Sequence, residues 1–190
     1  MATKQVSFYE ETTRVPLIVS GPGVAGGDRI IEKPLVSLLD LLPTLCEYAG
    51  IKAPADFWGL SLRPWLAGAT DAAAHAYVVS EWYSEWGFTI SPGRMIRGPR
   101  YKYTRYLEGD GEELYDVAND PGEKRTLADD PACAAELARH RELLDRYVRE
   151  TTDPFFSLEV KVDPRWRSHP VGFTRTIRAR PRSREGVRLG

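Results

Sequence analysis

Lys4-Gln5-Val6-Ser7-Phe8-Tyr9-Glu10-Glu11-Thr12-Thr13-Arg14-Val15-Pro16-Leu17-Ile18-Val19-Ser20-Gly21-Pro22-Gly23 is the stretch on which the reading of this chain turns. Val15 to Ser20 is a short apolar run without polar alternation, closed by Gly21-Pro22-Gly23. Such a run suits a strand covered on both faces, as in a parallel sheet. Pro16 is compatible with that, because the first residue of a strand can spare its N–H. Only Met1-Ala2-Thr3 precede Lys4, so the strand has no earlier element to pair with. The expectation is a chain that begins in the middle of a fold.

Outward from there the elements follow in order. Arg29-Ile30-Ile31 suggests a second short strand. Asp40 to Ala49 reads as a helix, with Asp40 as N-cap and Gly50 as its left-handed stop. Leu41, Leu42, Leu45 and Cys46 share one face of it. Ala53 to Gly68 reads as loop. Tyr77 to Glu81 is the next strand. Trp82 to Gly93 reads as an exposed aromatic loop. Arg94–Arg97 and Tyr101–Tyr106 form a hairpin turning at Gly98-Pro99. Glu113 to Val117 is a further strand, and Asp120-Pro121-Gly122 matches a type II turn. Asp130-Pro131 opens the last helix, whose stripe is Leu137, Leu144 and Val148.

The fold class expected is α/β. It consists of the end of a doubly wound domain over residues 1–70, then a small antiparallel sheet packed on a helix over 71–152. An irregular Arg-rich tail, with Trp166 and Phe173 as its sizeable anchors, fills 153–190.

Composition narrows the function. The 190 residues carry a formal net charge of -1, unevenly spread. From Pro164 onward there are eight Arg and one Glu, whereas Glu108 to Asp130 holds nine acidic residues against Lys124 and Arg125. The basic tail suits either a solvated terminus or a polyanion-binding arm. The solvated reading is preferred, and nucleic acid is not the expected partner. No run approaches the ~20 apolar residues of a membrane span, so no membrane partner is expected. No leader is visible, which by default reads as cytoplasmic. Nothing in the sequence assigns an oligomeric state.

Chemistry is sparse. Cys46 and Cys133 form no metal motif, and Cys46 reads as a small core residue. His75, His140 and His169 lack a partner at metal-ligand spacing, and His140, mid-helix among charges, reads as exposed. No nucleophile elbow, zinc helix or phosphate loop is present.

The Lys4–Gly23 stretch, with its Lys, aromatic-Glu-Glu, Arg and Val-Pro before an apolar strand, resembles the sulfatase family, arylsulfatase-like members of the alkaline-phosphatase superfamily. Leu35 to Leu45 closed by Ala49-Gly50-Ile51 is similar to the family's late helix, and Gly59 to Leu62 with Leu66-Ala67-Gly68 to the loop after it. Met95-Ile96-Arg97, Tyr101-Lys102-Tyr103 and Glu113-Leu114-Tyr115-Asp116 through Glu123 are similar to its C-terminal sheet. These pieces occur in family order over residues 4 to 151.

The resemblance implies hydrolysis of sulfuric esters, with a formylglycine nucleophile made in a C/S-x-P-x-R motif and a calcium ion on oxygen ligands. Neither Cys is followed by x-P-x-R, so this chain is expected to hold neither cofactor and to be inactive alone, as the C-terminal portion of the enzyme. Lys4 is the one site residue the resemblance assigns, as a contact to the substrate sulfate in an intact parent. Its alternative is an exposed lysine at a frayed terminus. Glu10, Glu11 and Arg14 read as structural ion partners. Two further readings stand beside this one: a portion of a phosphate or phosphonate ester hydrolase of the same superfamily, and a non-catalytic polyanion-binding module.

Overall fold

A computed structural model describes residues 8–32, 34–82, 92–107, 111–162 and 175–179, the last five and 158–162 by backbone alone. Lys4, His169, Trp166, Phe173 and most of the Trp82–Gly93 loop lie outside the described residues. Those described fall into two compact units. One is drawn from Met1–Thr13, Val79–Ile96 and Tyr101–Gly190, the other from Arg14–Val78 and Arg97–Arg100.

The first unit is built on a four-stranded antiparallel sheet in the order β1 (Val78–Trp82), β2 (Gly93–Arg97), β3 (Tyr101–Tyr106) and β4 (Glu112–Asp116). Tyr103 lies opposite Leu114 and Lys102 opposite Tyr115 in the β3–β4 ladder. Side-chain period two then divides the neighbours of each strand. On one face Tyr101 and Tyr103 meet the ring of His140 in helix α4 (Ala134–Glu150), and Arg105 meets Asp145. On the other face Lys102 meets Glu10, and Tyr106 meets Phe8, from helix α1 (Glu10–Thr13) and the residues just before it. The sheet is therefore covered on both sides, and Ile96, Tyr103, Leu114, Leu144 and Phe155 are fully buried. Each such apolar side chain stabilises the fold by about 1.5–3 kcal/mol.

Helix α4 begins as the sequence predicts. Asp130 Oδ1 accepts from the Ala132 N–H, and Pro131 opens a single 3-10 turn ahead of the α-helix. The Asp120-Pro121-Gly122 turn differs from expectation. A type II turn needs positive φ at Gly122, but the positive φ falls at Glu123, 48°, with its N–H bonded to the Asp120 carbonyl. Beyond α4, within the stretch read as irregular, β5 (Leu158–Val162) pairs antiparallel with β6 (Arg175–Ala179).

The second unit holds helices α2 (Leu41–Ala49) and α3 (Arg63–Leu66). Gly50 ends α2 with φ 69°, as predicted. The start differs: Ser37 caps a 3-10 turn over Leu38–Asp40, and Asp40 is the acidic member of its capping box, with Oδ2 accepting from the Ser37 N–H at 2.8 Å. Thr44 and Pro43 are the buried side of α2, whereas Leu42 and Leu45 of the apolar stripe are exposed. Val15 to Ser20 and Arg29 to Ile31 form no strand, and Ile18 is 90 % exposed. An apolar strand needs neighbours to take up its N–H and C=O groups. Among the described residues of this unit only an isolated bridge, Leu35 to His75, makes such a pairing.

Candidate functional site

Phe8, Tyr9 and Glu10 are the first described residues, and each is held to the sheet by a different interaction. Phe8 is buried against Gly93 and Tyr106; a Cβ at position 93 would sit 2.6 Å from its ring, so only glycine admits it. Tyr9 packs edge-on to Tyr115, and its hydroxyl reaches Glu113 Oε1 at 3.4 Å. Glu10 Oε1 lies 3.2 Å from Lys102 Nζ, and its backbone N–H donates to Glu123 Oε2 at 2.6 Å.

Lys102 and Glu123 complete that last contact. Lys102 Nζ is 2.5 Å from Glu123 Oε1, and both side chains are 1 % exposed. Sequence reading treats Lys102 as a strand residue and Glu123 as the end of the stretch that is similar to the family's C-terminal sheet. The signal available was the alternation Tyr101-Lys102-Tyr103-Thr104, in which one face cannot be solvated if an aromatic residue covers it from elsewhere in the chain.

Glu113 lies beside this cluster. Its carboxyl group is pushed above its ordinary value by burial, while hydroxyls of Tyr115, Tyr9 and Tyr106 favour the charged form and oppose the shift. Tyr115 is raised in turn, mainly by burial and then by its contacts with Tyr9 and Glu113. On the α4 face, Glu112 is held below its ordinary value, chiefly by the Arg141 guanidinium, which donates to both of its carboxylate oxygens.

Arg94 grips Asp153 with two parallel hydrogen bonds, Nε to Oδ2 at 2.6 Å and Nη2 to Oδ1 at 2.8 Å, and its guanidinium lies over the Phe155 ring. His140, expected to be exposed, is 1 % exposed. It tucks beneath Tyr101 and Tyr103, and burial lowers its pKa from the ordinary value of 6.5. Its Nδ1–H donates to the Glu136 carbonyl at 2.9 Å, one turn back in the helix, as neutral imidazole requires.

In the second unit His75 Nε2 lies 2.7 Å from Asp40 Oδ1, which also accepts from the Leu60 N–H. Asp40 is fully buried and its two oxygens are taken up by these donors and the Ser37 N–H. Cys46, expected in the core, is half-buried, as is Cys133.

These residues do not fit a calcium site. Among the described residues no group of three His, Cys, Asp or Glu could hold a metal ion. The clustered carboxylates at Lys102 and Arg94 are neutralised by cations, and those of Asp40 by N–H donors. Nor does either cysteine carry the sequence a formylglycine needs. No described helix is long and apolar enough to cross a membrane. What the arrangement does is mechanical and electrostatic: it fixes the strand-facing side of Phe8–Thr13 on the sheet.

Comparisons with known proteins agree on one family. The model of the N-sulphoglucosamine sulphohydrolase C-terminal region matches residues 4–150. A Delta 4,5-hexuronate-2-O-sulfatase from Bacteroides thetaiotaomicron is 52% identical over 174 residues, which cover 91% of this chain and 36% of that protein. Arylsulfatase K of Xenopus laevis is 29% identical over 168 residues, 83% of this chain and 30% of that protein. The solved structure of a 2-O GAG sulfatase superposes with a TM-score of 0.81 at 53% identity, covering 90% of this chain and 37% of that one. The chain thus spans little more than a third of the length of the relatives it matches best among these.

Proposed function

Because this chain belongs to the sulfatase family, we propose that it is the C-terminal portion of a sulfuric ester hydrolase whose substrate is a 2-O-sulfated unsaturated hexuronate. The observation that carries the reading is the 52% identity to the Bacteroides relative, sustained over nearly the whole chain rather than over one motif. Within that reading Lys4 contacts the sulfate. A fixed ammonium there lowers the energy of negative charge gathering on the transferring sulfuryl oxygens and on the departing sugar oxygen. The segment that follows Lys4 is the one anchored on the sheet through Phe8, Tyr9 and Glu10.

The test is a chimera in which this chain replaces the matching C-terminal portion of the Bacteroides relative. Release of sulfate from a 2-O-sulfated unsaturated hexuronate disaccharide is the expected result, abolished by Lys4→Ala. A folded chimera that releases no sulfate refutes the reading. Preferential cleavage of a phosphonate monoester would favour the alternative ester class. The 190-residue chain by itself is expected to release none.

A further inference from the structure

Helix α2 is turned inside out. A helix on a protein surface ordinarily buries its apolar stripe and leaves polar groups in water. Here Asp40 and Thr44 are buried, whereas Leu38, Leu42 and Leu45, at helical spacing across the 3-10 turn and α2, are 67 %, 43 % and 64 % exposed. The segment Val15–Ser20 of the same unit is bare in a second way. Leu17 and Val19 fall on one side of an extended chain and Ile18 on the other, and all three are exposed. Among the described residues the exposed large apolar side chains lie between Val15 and Trp58, Phe156 alone excepted. Contiguous apolar surface of this kind marks an interaction site.

We infer that α2 and Val15–Ser20 form one docking surface, and that its occupant is the portion of a sulfatase that precedes this region in the relatives. The inference rests on the reading of the chain as the C-terminal portion of a sulfatase. Two observations select that occupant. The matching family model is of a C-terminal region, and the relatives carry the matched part as 36% and 37% of a longer chain, so most of each relative lies outside it. The shape of the surface agrees. A segment bare on both faces, beside a helix bare along its stripe, needs cover from several directions. A two-fold partner offers one patch, its own copy of the same surface, and covers one side. A layered body of strands and helices covers both faces of a strand at once.

The test places Ile18→Glu with Leu45→Glu in the isolated chain and in the chimera, and reads melting temperature and sedimentation velocity. In the isolated chain both positions already face water, so melting should move by no more than about 2 °C. In the chimera the two charges would be buried without partners, and melting should fall by roughly 10 °C or more. Phe156→Glu, a charge on an exposed ring of the other unit, should have the same small effect in both. The unsubstituted chimera should sediment as a monomer. Equal effects of the double substitution in chimera and isolated chain overturn the inference, as does a chimera that does not fold. A chimera that dimerises until the two charges are introduced assigns the surface to a second copy and also overturns it. These readouts need no substrate: a chimera that melts as expected yet releases no sulfate refutes the ester reading and supports the docking surface.

Discussion

Removing the guanidinium at Arg94 should be the most damaging single change to the sheet unit. Arg94 is fully buried and the Asp153 side chain is 3 % exposed. Its two parallel hydrogen bonds at 2.6 and 2.8 Å bind the start of β2 to the chain just after α4, and Nη1 also donates to the Gly93 carbonyl at 2.8 Å. Arg94→Met keeps the volume and the contact with Phe155 but leaves a carboxylate buried without its counter-charge. Breaking a buried pair from one side costs about 3–5 kcal/mol. For a chain of this size each kcal/mol moves the melting temperature by about 2–4 °C, so a fall of roughly 6–20 °C is expected. Urea denaturation followed by circular dichroism at constant slope gives the free energy directly. Adding Asp153→Leu to the same chain should recover most of the loss, because the orphaned charge is then gone. A loss of under about 1 kcal/mol in Arg94→Met, or no recovery in the double variant, would refute the reasoning that the pair's value lies in mutual neutralisation.

Other outcomes follow from single positions. His140 is a base whose folded pKa is depressed by burial, so the stability it confers is complete above 6.5 and is lost as pH falls through the lower folded value; His140→Gln should flatten the thermal-melt pH profile below that point. At Gly59 a Cβ would lie 2.2 Å from the Leu39 carbonyl oxygen, so Gly59→Ala should destabilise the second unit by about 1–3 kcal/mol or displace the loop, read by the same melts. Gly50→Ala places a Cβ at φ 69° and should cost about 1 kcal/mol. The isolated chain, with Ile18, Ile30, Leu38, Leu45 and Ile51 exposed, should self-associate in sedimentation velocity, and Ile18→Glu with Leu45→Glu should shift it toward monomer.

Local chemistry was readable where it is self-contained. Asp130-Pro131 announces α4 because an Asp cap and a Pro at the first position satisfy or omit amides that have no other partner. The β2–β3 hairpin and the Gly50 stop follow from the same kind of short-range requirement. Val15–Ser20 was misread as a strand because hydrophobicity alone states a preference for burial, not the presence of something to bury against. His140 looked solvated among charges, yet its ring is buried against Tyr101 and Tyr103, with the Glu136 carboxylate 3.2 Å from its Nδ1. Lys4 came from a motif. The network joining Glu10, Lys102 and Glu123 did not, because Glu10 and Lys102 stand 92 positions apart and no local pattern couples them.

The sheet's two covers come from opposite ends of the sequence. Helix α4 closes one side, and the strip from Phe8 to Thr13 closes the other. Any attempt to prune the chain to a portable sheet cassette must therefore carry that strip along, however dispensable a handful of leading residues looks. A cut after Thr13 would strip Lys102 of one counter-ion and uncover the Tyr106 ring that Phe8 packs on.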